Sequence, residues 1–154
     1  MILHSGFRLV DMADEVVRTI SSFSCQAEIS REAGGILLGS YRGPHIEILD
    51  CTVPFRRDRR IWNLFDRRDP GHRNEAMRRW RDSGRTVTFV GEWHTHPEAV
   101  PSPSSLDRNT WRGIARKHKI GPLVFVIRGI SGWWFGLSRE EALTLLVPLG
   151  GMIE

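Results

Sequence analysis

An α/β fold, one compact domain with a mixed sheet and helices packed against it, is predicted by three observations. Apolar, β-branched runs of strand length such as Thr86-Val-Thr-Phe-Val90 and Leu123-Val-Phe-Val-Ile127 share the chain with segments of helical period. The 154 residues, 1–154, have the size of a single domain that buries a core without staples. Cys25 and Cys51 stand far apart in no Cys-x-x-Cys pattern, so neither a disulfide framework nor a thiolate zinc site is indicated, and both read as buried, reduced thiols.

Taken in order, Ile2 to Val10 reads as a first strand. A helix follows from Asp11 to about Ala27, with Val16, Val17, Ile20 and Phe23 at helical spacing and Asp11 or Asp14 as its cap. Gly35–Tyr41 and His45–Val53, separated by Arg-Gly-Pro, read as a hairpin, which sets Glu32 at or just before a strand start. Pro54 to Pro70 has no clean period and is crowded with Arg and Asp, so a long loop flanking the functional site is expected. Gly71 to Ser83 is helical with Ala76, Met77 and Trp80 as its inward stripe, and Ser83-Gly84 ends it. After the strand that ends near the histidines, a helix is expected from Ser104 to His118, turning Leu106, Trp111 and Ile114 inward, with Lys117, His118 and Lys119 at its C-terminal end. Leu123–Ile127, Trp133–Leu137 and Ala142–Val147 are three further strands.

The net charge of +4 is concentrated, because Arg56 to Arg85 holds eleven arginines against five acids. Such a run is usually a solvated face. No nucleic-acid motif accompanies it, so docking of an acidic protein partner is expected rather than nucleic acid, with Trp62 as an aromatic anchor within the segment. The start of the chain lacks a basic region followed by an apolar stretch of signal-peptide length, and no run is long enough to span a membrane, so a cytoplasmic protein is expected.

The stretch from Glu92 to Asp107 carries the chemistry. His94 and His96, two residues apart at a strand end, point to one face. Pro97, Pro101 and Pro103 stiffen a turn, and Ser104 and Asp107 then fall three residues apart on one helical face. Two imidazoles and a carboxylate are the protein ligands of a catalytic zinc site that keeps one position open, and hydrolysis is the expected reaction. Taken alone, Ser104-x-x-Asp107 reads first as a helix capping box, and a His-x-His pair as hydrogen-bonded imidazoles. Their conjunction favours the metal.

His94-x-His96, seven residues, then Ser104-x-x-Asp107 resembles the signature of the JAMM (MPN or JAB) metalloproteases. The resemblance covers essentially the whole chain and implies the family's curved mixed sheet with packed helices, a cytidine-deaminase-like architecture. It implies one Zn2+ per chain on His94, His96 and Asp107, with the Ser104 hydroxyl holding the oxyanion. It also implies an upstream glutamate as general base, a place that Glu32 in Glu32-Ala-Gly-Gly35-Ile-Leu-Leu-Gly39 fits.

Among family branches the sequence looks most like short bacterial members beside ubiquitin-activating and conjugating enzyme homologues, some in CBASS antiphage operons. The implied substrate is a ubiquitin-like protein or a conjugated cyclic-nucleotide synthase, with the activating and conjugating enzymes as further partners. Processing of a sulfur-carrier or ubiquitin-like precursor is the alternative, and a metal-free scaffold of the same fold a third reading. A zinc deaminase would need His-x-Glu and Pro-Cys-x-x-Cys, which are absent.

Overall fold

The computed structural model describes residues 1–24 and 31–150. In chain order its elements are β1 (Ile2–Ser5), β2 (Arg8–Met12), α1 (Asp14–Ser22), β3 (Gly34–Arg42), β4 (His45–Cys51), β5 (Arg59–Ile61) and β6 (Leu64–Asp66). Then follow α2 (Gly71–Asp82), β7 (Thr88–Thr95), α3 (Ser105–Lys117), β8 (Leu123–Arg128), β9 (Trp133–Arg139), β10 (Ala142–Leu145) and β11 (Val147–Pro148).

The main sheet runs β10-β9-β8-β7-β3-β4-β2-β1-β11, mixed because β7–β8 and β2–β4 pair in parallel. Its two edge strands are consecutive in the chain, separated only by Leu146, so the sheet curls until its ends approach each other. Leu146 is buried and its N–H donates to Phe135 O at 3.0 Å. The concave side packs Leu3, Met12, Ile48, Val90, Trp93 and Val126 around Val16 and Ile20 of α1. On the other side α3 lays Trp111 over Phe125 and Ile127, while α2 brings Ala76 against Ile36 and Leu38. That side carries the site.

Several elements differ from the sequence expectation. The first strand is two, because Gly6 at φ +59 turns the chain into a β1–β2 hairpin. Asp11 therefore lies in β2, α1 begins after Ala13 with no side-chain cap, and Asp14 occupies its first turn. Within the described residues α1 ends at Ser22; Cys25 and the expected end of the helix near Ala27 lie outside them. Cys51 is free and half-buried, and burial pushes its thiol up to about 12.

The expected long loop contains the β5–β6 hairpin, turned at Trp62-Asn63. Met77 and Leu106 are exposed rather than inward; on α2 the buried position is His72, and on α3 it is Trp111. The run Ala142–Val147 is split by Leu146, which dips into the core and sends its flanking strands to opposite ends of the sheet. Among the described residues no helix is long and apolar enough to cross a membrane.

Candidate metal centre

A bulge aims the site. Leu37 and Leu38 of β3 face Gly91 and Phe89 of β7, leaving Val90 as the extra residue. Gly91 takes φ +153, and a Cβ there would meet Val124 O at 1.7 Å, so only glycine fits this crossing. Beyond the bulge, Trp93 and Thr95 turn into the core, as their alternation predicts, and His94 lies on the opposite side against Trp111, with ring centroids 5.8 Å apart.

Register brings the glutamate in. Gly34 pairs with His94 in the antiparallel β3–β7 ladder, so two residues back along one chain and two forward along the other set Glu32 near His96. The approach is pinned by Thr95 N–H donating to Ala33 O at 2.8 Å and Ala33 N–H donating to Thr95 Oγ1 at 2.9 Å. His96 N–H donates to Arg128 O on β8 at 3.0 Å.

The third donor comes from α3. Ser104 is its N-cap, and the box is closed reciprocally: Asp107 N–H donates to Ser104 Oγ at 3.1 Å while Asp107 Oδ2 accepts from Ser104 N–H at 2.7 Å. Ser104 Oγ–H also donates to Asp107 Oδ2 at 2.7 Å. One helical turn on, Trp111 stacks on Phe125 at 4.6 Å and Trp134 at 5.5 Å, fixing the rotation of α3 and hence the aim of Asp107. The capping-box and site readings of Ser104-x-x-Asp107 are thus compatible: the box holds Asp107 in place and leaves Oδ1 clear of the cap.

His94 Nε2 and His96 Nε2 lie 3.0 Å apart, and Asp107 Oδ1 and Oδ2 lie 3.3 Å from His94 Nε2 and His96 Nε2 respectively. Metal bonds of about 2.0–2.1 Å in a tetrahedron require donors about 3.3 Å apart, and one ligand atom from each of these side chains lies within 4.8 Å of the other two, close to that spacing. Burial works to raise the Asp107 carboxyl, but the His94 and His96 rings and Ser104 outweigh it and hold it far below the ordinary range. Burial works to lower the His96 ring, and Asp107, Glu32 and Glu98 reverse that.

Glu32 is 4% exposed, and burial pushes its carboxyl up to about 7; the nearby Asp107 and Glu98 charges act the same way, against His96 and the Phe65 N–H. Of the two flanking carboxylates, Glu98 is half exposed and reaches His96 Nδ1 at 3.9 Å. Glu92 faces the cleft, where it pairs with Arg67 at 2.5 Å.

A cleft of about 460 Å³ opens at His94 and Asp107, between Phe65 and Arg67 on one wall and Leu106, Thr110 and Ile114 of α3 on the other. A larger hollow of about 690 Å³ by Arg116, His118 and Arg139 holds none of the motif residues.

Three groups escaped sequence reasoning. Arg60 and Phe65 touch Glu32, and Arg67 lines the cleft. A buried chain of bonds, His72 Nε2 to Asp58 Oδ2 at 2.7 Å and His72 Nδ1 to Thr52 Oγ1 at 2.6 Å, anchors the segment before α2. The available signal was two three-residue runs either side of Trp62-Asn63, a two-residue hairpin spacing. The arginine-rich segment is extensively paired within the protein, with Arg68 on Asp66, Arg78 on Glu75 and Asp82, and Arg79 on Asp50. Trp62 stands 60% exposed at the hairpin tip.

The model for prokaryotic homologues of the JAB domain matches residues 14–141. The chain belongs to this family. A Pseudomonas aeruginosa relative named CD-NTase/cGAS isopeptidase is 48% identical over 88 residues, 57% of this chain and 56% of the relative's length. A Vibrio cholerae relative of the same name is 31% identical across 89% of this chain and 86% of its own length. The fold is similar to that of a Desulfitobacterium hafniense protein determined in solution, with a TM-score of 0.63, 16% identity and 88% of both chains covered. JAB-domain metalloproteases work with a metal ion, and the His94, His96 and Asp107 donors fit one.

Proposed function

We propose that the protein is a zinc-dependent isopeptidase that releases a CD-NTase-type cyclic-nucleotide synthase, or a ubiquitin-like modifier, from the amine to which its C-terminus has been joined. The convergence of two imidazoles and Asp107 beside a buried glutamate carries the reading, and the relatives named CD-NTase/cGAS isopeptidase supply its substrate class. The complete donor set argues against a metal-free scaffold.

A zinc ion held by His94, His96 and Asp107 would supply Lewis acidity, lowering the pKa of water and polarising the scissile carbonyl. Glu32, buried and set near His96 by the β3–β7 register, is placed to take a proton from the attacking water and return it to the leaving amine. Ser104 donates to Asp107 as found, so its hydroxyl must turn toward the carbonyl oxygen to hold the developing oxyanion. The cleft beside the donors accepts an extended tail between Phe65 and the α3 side chains.

The test is a CD-NTase whose C-terminal tail is fused through a peptide bond to a fluorescent protein. Zinc-loaded protein should cut at the tail's last residue, chelator should stop the reaction and zinc restore it, and Glu32→Gln should remove most, but not all, of the activity with metal retained. A fusion left intact by zinc-loaded protein would remove the substrate assignment.

A further inference from the structure

The β5–β6 hairpin is bonded to the backbone of Glu32 at two points. Glu32 N–H donates to Ile61 O at 2.8 Å and Arg60 Nε–H donates to Glu32 O at 2.8 Å. The Phe65 ring also fills the space where a Cβ at Gly34 would stand, at 2.3 Å, so the hairpin lies directly on the chain leading from Glu32 into β3. Glu32 itself belongs to neither helix nor strand. Among the described residues, its own backbone N–H and C=O are bonded to the hairpin.

Arg60 is built for such a contact. Its guanidinium lies over the Phe23 ring, 5.9 Å from the centroid, and a second nitrogen donates to Arg31 O at 3.3 Å. A planar fork stacked on an aromatic face and bonded to two successive carbonyls is held in one orientation, as a lysine ammonium would not be.

We propose that Arg60 is a positioning residue for the proposed general base: through the β5–β6 hairpin it fixes the backbone of Glu32 so that the carboxylate meets the substrate-bound centre. This rests on the assignment of Glu32 as base. The role is one of aim. Misplacing a reacting group by an ångström costs up to about a hundredfold in rate without touching the metal.

The test compares Arg60→Met, which keeps an apolar stem against Phe23, Arg60→Lys, Glu32→Gln and the double variant Arg60→Met/Glu32→Gln, all zinc-loaded and assayed on the fluorescent fusion. Arg60→Met should lower kcat by about tenfold or more with KM within about twofold and zinc content unchanged, and Arg60→Lys should fall between it and the wild type. Backbone hydrogen exchange should quicken at the Glu32 amide in Arg60→Met while staying slow at Ala33, which is tied to Thr95. In the Glu32→Gln background the Arg60 change should have no further effect, because there is no base left to aim.

Wild-type kcat in a folded Arg60→Met protein, or an equal loss in both backgrounds, overturns the proposal. Should Arg60→Met fail to fold, the same comparisons are read from Arg60→Lys, and wild-type kcat there with unchanged exchange at Glu32 overturns it likewise. Wild-type turnover by Glu32→Gln would instead remove the base assignment itself, which the same plate of assays reports separately.

Discussion

Asp107 does two jobs with one carboxylate. Oδ2 closes the cap of α3 through Ser104, while the carboxylate also faces both imidazoles. Ser104→Ala should therefore cost about 1 kcal/mol of stability through the lost cap, in addition to its loss of turnover, whereas Ser104→Thr should keep most of the stability; denaturant unfolding reads the difference. Glu32 carries the opposite kind of cost. Its folded pKa near 7 lies above the ordinary value of about 4.3, so between those values the folded state binds more protons and stability falls as pH rises. In metal-free protein Glu32→Gln lacks that loss, and its advantage over the wild type should grow from pH 5 to pH 8 toward roughly 3 kcal/mol. A gap that stays constant with pH would show that Glu32 is not desolvated. The donors were legible in the sequence because two short spacings, two and three residues, each fix a face. Arg60 and Asp58 were not, since their partners Glu32 and His72 are brought to them by the fold rather than by any local period.

At the scale of elements, the hairpin within residues 54–70 governs the cleft. The sequence there reads as loop because charge hides the alternation: Arg59, Asp66 and their neighbours are the surface of two very short strands. Its anchor is internal. Asp58 has its side chain fully buried and accepts N–H bonds from Phe55, Arg68 and Asp69 as well as the His72 ring. Burial pushes the Asp58 carboxyl up, and those donors together outweigh it and hold it below the ordinary range. His72 Nδ1 is satisfied by Thr52 Oγ1, which also accepts Ile36 N–H at 2.9 Å, so the segment is tied directly to β3. Asp58→Ala leaves the His72 ring and three backbone N–H groups without their acceptor and should cost about 1–3 kcal/mol in thermal or denaturant unfolding. A loss well below about 1 kcal/mol would mean that the segment holds itself. Trp111→Ala should cost about 3–5 kcal/mol and, by freeing α3 to rotate, reduce metal affinity as well.

For the whole molecule, the strands and helices were legible where a period was sustained: β3, β4, β8, β9, α2 and α3 lie where the pattern puts them. What sequence periodicity misses is closure. Ala142–Val147 reads as one strand, yet Leu146 is a pivot that sends β10 and β11 to opposite ends of a curled sheet. Leu146→Ala should cost about 2–5 kcal/mol and loosen β10 and β11 together, visible as faster amide exchange in both strands, while a change confined to one strand would argue against closure through this residue. Antiparallel pairing of β3 with β7 near the middle of this sheet is how Glu32 reaches histidines more than sixty residues away in the chain. The account therefore comes down to whether His94, His96 and Asp107 hold an ion, and elemental analysis of zinc per chain after exhaustive dialysis tests this most directly. Wild-type protein should retain one zinc per chain and Asp107→Ala close to none; equal zinc in the two proteins, or none in either, would contradict it.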